Sequence, residues 1–242
     1  MEPTLREWLR EEPFTLVMSS GFFGFYAHTG VLRVLEEEGL LPARAAGASA
    51  GALVTAAWSA GVAAERLSDR LGTLERRDYW DPGPGLGLLR GQRFASLLDG
   101  LLPVRTFDEC RIPVALSVFD VAARATRVID RGALAPAIQA SCTVPVMFQP
   151  VRHQGRALLD GGILDRPGLA GVPVGERVFY HHLSSRWLGY TVPSRPGMVA
   201  LEIEGLPGAD PFRMHRGPLA MDLAASATRR ALSQPVSAHM RS

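Results

Sequence analysis

Residues 45–60 read Ala45-Ala46-Gly47-Ala48-Ser49-Ala50-Gly51-Ala52-Leu53-Val54-Thr55-Ala56-Ala57-Trp58-Ser59-Ala60, and Gly61 follows. The core of this stretch, Gly47-Ala48-Ser49-Ala50-Gly51, is a G-x-S-x-G. The small residues before Ser49 suit a strand ending. The residues after it predict an unbroken helix from Ala50 to Ala60, closed by Gly61. A serine hydroxyl is a weak nucleophile that must be exposed, oriented and relieved of its proton during attack. A sharp strand-to-helix turn exposes it, and flanking glycines let the backbone pack that tightly. The helix then aims its first N–H groups at the place where negative charge would develop. In a chain with 25 glycines the bare pattern is weak, and the strand before and helix after it supply the weight. The plainer reading is a tight turn around a small buried serine.

Upstream, Leu5 to Glu12 predicts a short helix and Phe14 to Ser19 an apolar strand bounded by Pro13. Ser20-Gly21-Phe22-Phe23-Gly24 forms a turn that opens a helix from Tyr26 to Glu38, stopped by Gly39. A glycine turn at a helix N-terminus suits an anion, here a tetrahedral oxyanion held by the N–H groups of Gly21 and Phe22. A nucleotide would suit the same geometry, but G-x-G-x-x-G is missing and so is any P-loop lysine. The acidic run Glu36 to Glu38 lies where the helix dipole disfavours it, and nothing nearby in the sequence accounts for that.

Downstream, helices are expected over Ala64–Arg76, Gln92–Leu101 and Leu134–Ala140. Pro113–Phe119 and Thr126–Ile129 read as a strand pair, and Arg156–Leu159 as a short strand running into Asp160. Signals weaken after residue 174. Val199–Ile203 reads as a last strand and Pro218–Leu232 as a closing helix with Leu219, Leu223 and Ala227 on one face. Strands alternating with helices predict a layered α/β domain, one domain over 1–242.

Composition sets outer bounds. The apolar share of 47% and a net charge of +2 fit a globular domain and give no electrostatic case for nucleic acid. All basic residues are arginine. Cys110 and Cys142 are the two cysteines and set no disulfide framework or metal spacing. Met1 to Glu12 carries four glutamates and no apolar core of a secretory signal. No stretch approaches the ~20 apolar residues that span a bilayer. The expectation is a cytoplasmic protein that visits a membrane surface from the water side.

Four boxes then occur in order and together resemble the patatin-like phospholipases. Ala27-His28-Thr29-Gly30-Val31-Leu32 is similar to the start of that family's first helix. Gly47 to Leu53 is similar to its nucleophile elbow. Ala140-Ser141-Cys142 with Val144-Pro145, Phe148 and Pro150 resembles the segment leading to its catalytic aspartate. Leu159-Asp160-Gly161-Gly162 resembles its Asp-Gly-Gly box. The resemblance covers about residues 14–170, with 175–242 read as a continuation of the same domain. It implies a three-layer α/β/α sandwich with a mostly parallel central sheet. It also implies a serine lipid acyl hydrolase working through a Ser49–Asp160 dyad and an acyl-enzyme, with no metal and no cofactor. The Gly21-Phe22-Phe23-Gly24 turn resembles the adipose triglyceride lipase branch more than plant patatins. Ser19 and Ser20 stand where the family commonly has glycines, Gly24 where it has Lys or Arg, Phe25 where Gly is frequent, and Arg166 where it has Asn.

Two other functional readings fit the sequence. A Ser-His-Asp esterase would use His181 or His182, since the order Ser, Asp, His is that of α/β-hydrolases. A lipid- or partner-binding module could keep the fold without turnover. His28 reads as a packing residue rather than a catalyst. Phe22, Phe23, Phe25 and Tyr26 cluster beside the glycine turn and are candidates for the acyl pocket, with core packing as the alternative. The Gly/Pro-rich loop Asp81–Gly91 carries Leu86, Leu88 and Leu89 beside Trp80, with Arg76, Arg77, Arg90 and Arg93 nearby. That mixture suits an interfacial lid, or an ordinary surface loop.

Overall fold

A computed structural model describes residues 2–184 and 191–240. In chain order its main elements are α1 (Leu5–Glu11), β1 (Thr15–Met18), α2 (Phe25–Glu37), β2 (Arg44–Ala48), α3 (Ala50–Ser59), α4 (Ala64–Gly72) and α5 (Gln92–Leu101). There follow β3 (Val114–Asp120), β4 (Ala125–Ile129), α6 (Leu134–Ser141), β5 (Val151–His153), β6 (Arg156–Asp160), β7 (Val178–His182), β8 (Met198–Glu202) and α7 (Gly217–Ala231). Of the segment 175–242, residues 185–190 and 241–242 lie outside the described residues.

The eight strands form one mixed sheet. Strands β3, β2, β1, β7 and β8 run parallel side by side, while β4, β6 and β5 are antiparallel to their neighbours. The β1–α2–β2 and β2–α3…β3 steps are crossovers of the kind that parallel neighbours require. Buried side chains of all seven helices join one core with Leu16, Met18, Leu116, Val118, Phe179 and Val199 of the sheet. The alternate strand residues, Val17, Ala46, Ala115, Tyr180 and Ala200, point the other way. The expected α/β layering and mostly parallel sheet are therefore present. The far layer differs in kind: among the described residues it is the non-helical segment around Leu169 and Val172 that packs there.

Strand β7, Val-Phe-Tyr-His-His, was not expected. It is buried throughout between β1 and β8, so it lacks the polar alternation that marks a half-exposed strand. Strand β5, three residues long, was also not expected. The helix from Ala64 ends at Gly72, and Glu75 and Asp78 cap a separate short turn at Arg76–Asp78.

The closing helix is correctly located but turned. Leu219 and Leu223 face solvent, whereas Ala220, Met221, Ala224 and Thr228 are buried. Gly30 of α2 explains this. A Cβ there would overlap the Met221 carbonyl, so α2 and α7 approach backbone to backbone and only small side chains fit between them. The acidic run at the end of α2 also finds its reason in distant partners. Glu36 accepts from the Ala64 N–H (2.7 Å) and the Trp58 indole (3.1 Å), capping the start of α4. Glu37 pairs with Arg229, and Glu38 with Arg6 and Arg10. These contacts offset the unfavourable position at a helix C-terminus.

Candidate active site

The site is assembled on strand β3, which has two edges to pair. β4 occupies one edge over residues 116–120. β2, paired as far as Ser117, and β6, paired over 118–120, both overlap β4 and so share the other edge. β2 runs toward this junction and ends at Ala48 beside Ser117. β6 runs against it and ends at Asp160 beside Val118. Ser49 and Asp160 are therefore delivered to one point from opposite directions. Ser49 Oγ donates to Asp160 Oδ2 at 2.6 Å.

Ser49 has φ 53° and ψ −119°, a strained conformation for a side-chain-bearing residue, and precedes the first residue of α3. A Cβ on Gly51 would overlap the Met18 carbonyl, and one on Gly47 would lie 2.6 Å from the Gly51 carbonyl carbon. The elbow therefore packs against β1 only as glycine. Its backbone is also pinned: the Ser49 N–H donates to Ser141 Oγ (2.9 Å), which donates to the Ser117 carbonyl (2.7 Å). The Cys142 thiol donates to the Ser49 carbonyl at 3.1 Å. In the sequence, Ser141 and Cys142 stand only as part of the segment before the Asp-Gly-Gly box. Their hold on Ser49 spans more than ninety residues and leaves no local signal.

Asp160 is buried and accepts from the Gly162 N–H at 2.8 Å through its other oxygen. Burial pushes its carboxyl up to about 6, against the lowering effect of the bonds from Ser49 and Gly162. Gly161 lies against the Ser117 carbonyl, and Gly162 against Ser20. Asp165 serves a different task, accepting from Ser117 Oγ and from the N–H groups of Gly168, Leu169 and Ala170.

Gly21, Phe22, Ser49 and Ala50 line one wall of a single cleft. Among the described residues, no acceptor takes the Gly21 or Phe22 N–H. Gly24 N–H closes the turn onto the Gly21 carbonyl at 2.8 Å, and Phe23 sits at φ 57°. Leu183 lies against Gly21 and Gly24 from below. Two bonds hold the chain before this turn: Leu183 N–H donates to Ser19 Oγ, and Ser20 N–H to the Arg166 carbonyl.

Beneath the turn, His28 Nδ1 and His181 Nδ1 are 2.7 Å apart, and His28 Nε2 is 2.8 Å from the Ser19 carbonyl. The carbonyl can only accept, so His28 carries its proton on Nε2 and His181 donates from Nδ1. That leaves His181 Nε2 as a bare lone pair, and no partner faces it. Two neutral rings satisfy these contacts. Burial holds His28 down to about 4 and His181 well below its usual range. His182 Nδ1 contacts the Tyr180 hydroxyl at 2.9 Å. The direct contact between Ser49 and Asp160 leaves no space for an imidazole between them.

The cleft is almost wholly apolar, about 690 Å³ with the open solvent around it included, and its walls include Leu53, Leu71, Tyr79, Phe94, Met147 and Phe148. Phe22, Phe23 and Phe25 line it. Tyr26 does not: its ring is buried under Gly217 at the start of α7. The loop over 81–91 is not a free lid, since its backbone is stitched to residues 146–149 and Leu89 is fully buried with Phe148 and Tyr79. Arg76 stacks on Trp80 and Phe212. Arg93 donates to the Arg77 carbonyl, and Arg77 pairs with Glu75.

Residues 16–172 match the patatin-like phospholipase family. The chain belongs to that family. Curated relatives include an uncharacterized NTE family protein of Mycobacterium tuberculosis, 31% identical over 154 residues, 62% of this chain and 42% of that protein. A second, from Mycobacterium bovis, is 31% identical over 160 residues, 62% of this chain and 26% of that protein. The match thus spans less than half the length of these relatives. VipD from Legionella pneumophila shares the fold, with a TM-score of 0.69 over 94% of this chain and 67% of that chain at 14% identity. The likeness of the glycine turn to the adipose triglyceride lipase branch stays a local one of four residues. Among the described residues, no helix is long and apolar enough to cross a membrane.

Proposed function

We propose that this chain hydrolyses carboxylic esters of glycerolipids through an acyl-enzyme on Ser49, with Asp160 as the base. The observation that carries the reading is the 2.6 Å contact from Ser49 Oγ to Asp160 Oδ2 at the mouth of an apolar cleft. An acyl chain lies along that cleft and places its ester carbonyl beside Ser49. Ser49 Oγ attacks the carbonyl carbon as its proton passes to Asp160 Oδ2. Charge on the former carbonyl oxygen is met by the N–H groups of Gly21 and Phe22 and the N-terminus of α3. The tetrahedral intermediate collapses, and the alcohol leaves with the proton from Asp160. Water then enters and attacks the acyl carbonyl as it gives a proton to Asp160, and Asp160 returns that proton to Ser49 Oγ as the fatty acid leaves. A carboxyl near 6 is ionised at neutral pH yet basic enough to accept a proton from serine in the transition state.

The test is a panel of phospholipid, lysophospholipid and acylglycerol, hydrolysed by wild type and Ser49→Ala side by side, with a fluorophosphonate probe for the nucleophile. Fatty-acid release and probe labelling that both vanish in Ser49→Ala support the reading. Folded wild type that neither turns over any member nor takes the probe overturns it.

A further inference from the structure

The segment from Pro82 to Leu89 bends back on itself and is fixed along one side. Leu88 N–H donates to the Val146 carbonyl (2.9 Å), Leu89 N–H to the Met147 carbonyl (2.8 Å), and Gln149 N–H to the Leu89 carbonyl (3.0 Å). The Gln149 amide also reaches the Pro84 carbonyl at 2.8 Å. Inward, Leu89 and Phe148 are buried. Outward, Leu86 is 86% exposed, Val146 82% and Leu88 51%. Rigid loops that present three bare aliphatic side chains are an unfavourable surface in water.

Val146 adds a second cost. Its φ is 69°, a left-handed conformation that a β-branched residue rarely adopts. Burial does not offset this strain, because the side chain stands in solvent. Strain retained at an exposed apolar residue marks a position where presenting that side chain serves a purpose. Val144 and Met147, on either side of Val146, line the cleft that begins at Ser49. The apolar lip is thus continuous with the cleft. Arg90 at its base is exposed, with no carboxylate partner among the described residues.

The geometry points to a lipid surface as the occupant of this lip: Leu86, Leu88 and Val146 enter the acyl boundary of a bilayer while Arg90 meets an anionic head group. Three side chains on a loop tip are far too little area for a stable protein partner, which would bury on the order of 1,000 Å² or more. Fluid hydrocarbon conforms to such a tip and needs no matching pocket. The inference deepens the lipid hydrolase reading and rests on it for the nature of the cleft, but it is tested by binding as well as turnover.

Wild type, Val146→Asn and Leu86→Ser/Leu88→Ser are compared in three assays. These are pelleting with vesicles of equal parts phosphatidylcholine and phosphatidylglycerol, hydrolysis of soluble p-nitrophenyl butyrate, and thermal melting. Vesicle affinity is expected to fall about tenfold in Val146→Asn and roughly a hundredfold in the double variant. Hydrolysis of the soluble ester stays unchanged, and Val146→Asn melts no lower than wild type because Asn tolerates the left-handed conformation. Unchanged vesicle affinity in both variants overturns the lip. Wild type that cleaves the soluble ester but does not pellet with vesicles also overturns it, and leaves the hydrolase reading standing. Wild type that pellets, loses this in the variants and cleaves no ester upholds the lip while the hydrolase reading fails.

Discussion

The hydroxyl of Ser141 joins the Ser49 N–H to the Ser117 carbonyl, so the backbone of Ser49 is tied to β3, the strand whose pairing with β6 places Asp160. All three groups are buried. Replacing Ser141 with Ala leaves a donor and an acceptor without partners, a loss of about 1–3 kcal/mol. Chemical denaturation of Ser141→Ala should show that loss. Activity should fall mainly in kcat, because the elbow loosens while the apolar cleft is untouched. An unchanged kcat with normal unfolding would remove Ser141 from this role.

The pH–rate profile should report the Asp160 carboxyl. With its carboxyl near 6, activity on a soluble ester should rise through about that pH and level off above it. Asp160→Asn should lower kcat by about 10²–10⁴-fold and abolish the rise. A flat profile between pH 5 and 7 in wild type would contradict the assignment.

Stability should move the other way. The Asp160 carboxyl is raised on folding from 3.8 to about 6, so the folded state favours the protonated form. Its contribution is fully present below about 3.8 and is lost as pH rises through about 6. Above that, the ionised buried group costs roughly 3 kcal/mol relative to acid pH. Asp160→Asn should therefore be more stable than wild type at pH 8 and close to it at pH 4. Urea unfolding at the two pH values checks the sign, and equal differences at both would refute it.

The His28–His181 pair imposes the opposite slope. Both rings ionise less readily when folded, His28 at about 4 against 6.5 in the open chain. Their stabilisation is complete above 6.5 and drains away as pH falls toward 4. A first proton on His181 Nε2 would be buried with no acceptor, and a second would set two N–H groups face to face beneath Ser19. In an Asp160→Asn background, melting temperature should fall steadily from pH 6.5 to 4, and the further change His28→Gln should make that slope shallower. An identical slope in both would exclude the pair as the acid-sensitive element.

Legibility in the sequence followed the range of each interaction. The elbow was readable because glycines two residues away and the adjoining helix determine it. The position of Asp160 was visible only through the Asp-Gly-Gly resemblance, since its partner is 111 residues away. Strand β7 escaped because burial on both faces erased its alternation, and two histidines in its last positions hid its strand character. The buried face of α7 was misjudged because Leu219 and Leu223 look like core residues until Gly30 demands smaller ones. Tyr26 was grouped with three phenylalanines by adjacency, whereas the helical turn carries it away from the cleft toward Gly217.

The shared edge of β3 has one further consequence. Side chains alternate along a strand, so a slip of β6 by a single residue would send Asp160 to the opposite face of the sheet. A molecule misregistered there would keep its helices and strands, turn Leu158 out of the core, and leave Ser49 without Asp160. The proposed turnover would thus report correct folding more strictly than any spectroscopic measure of secondary structure.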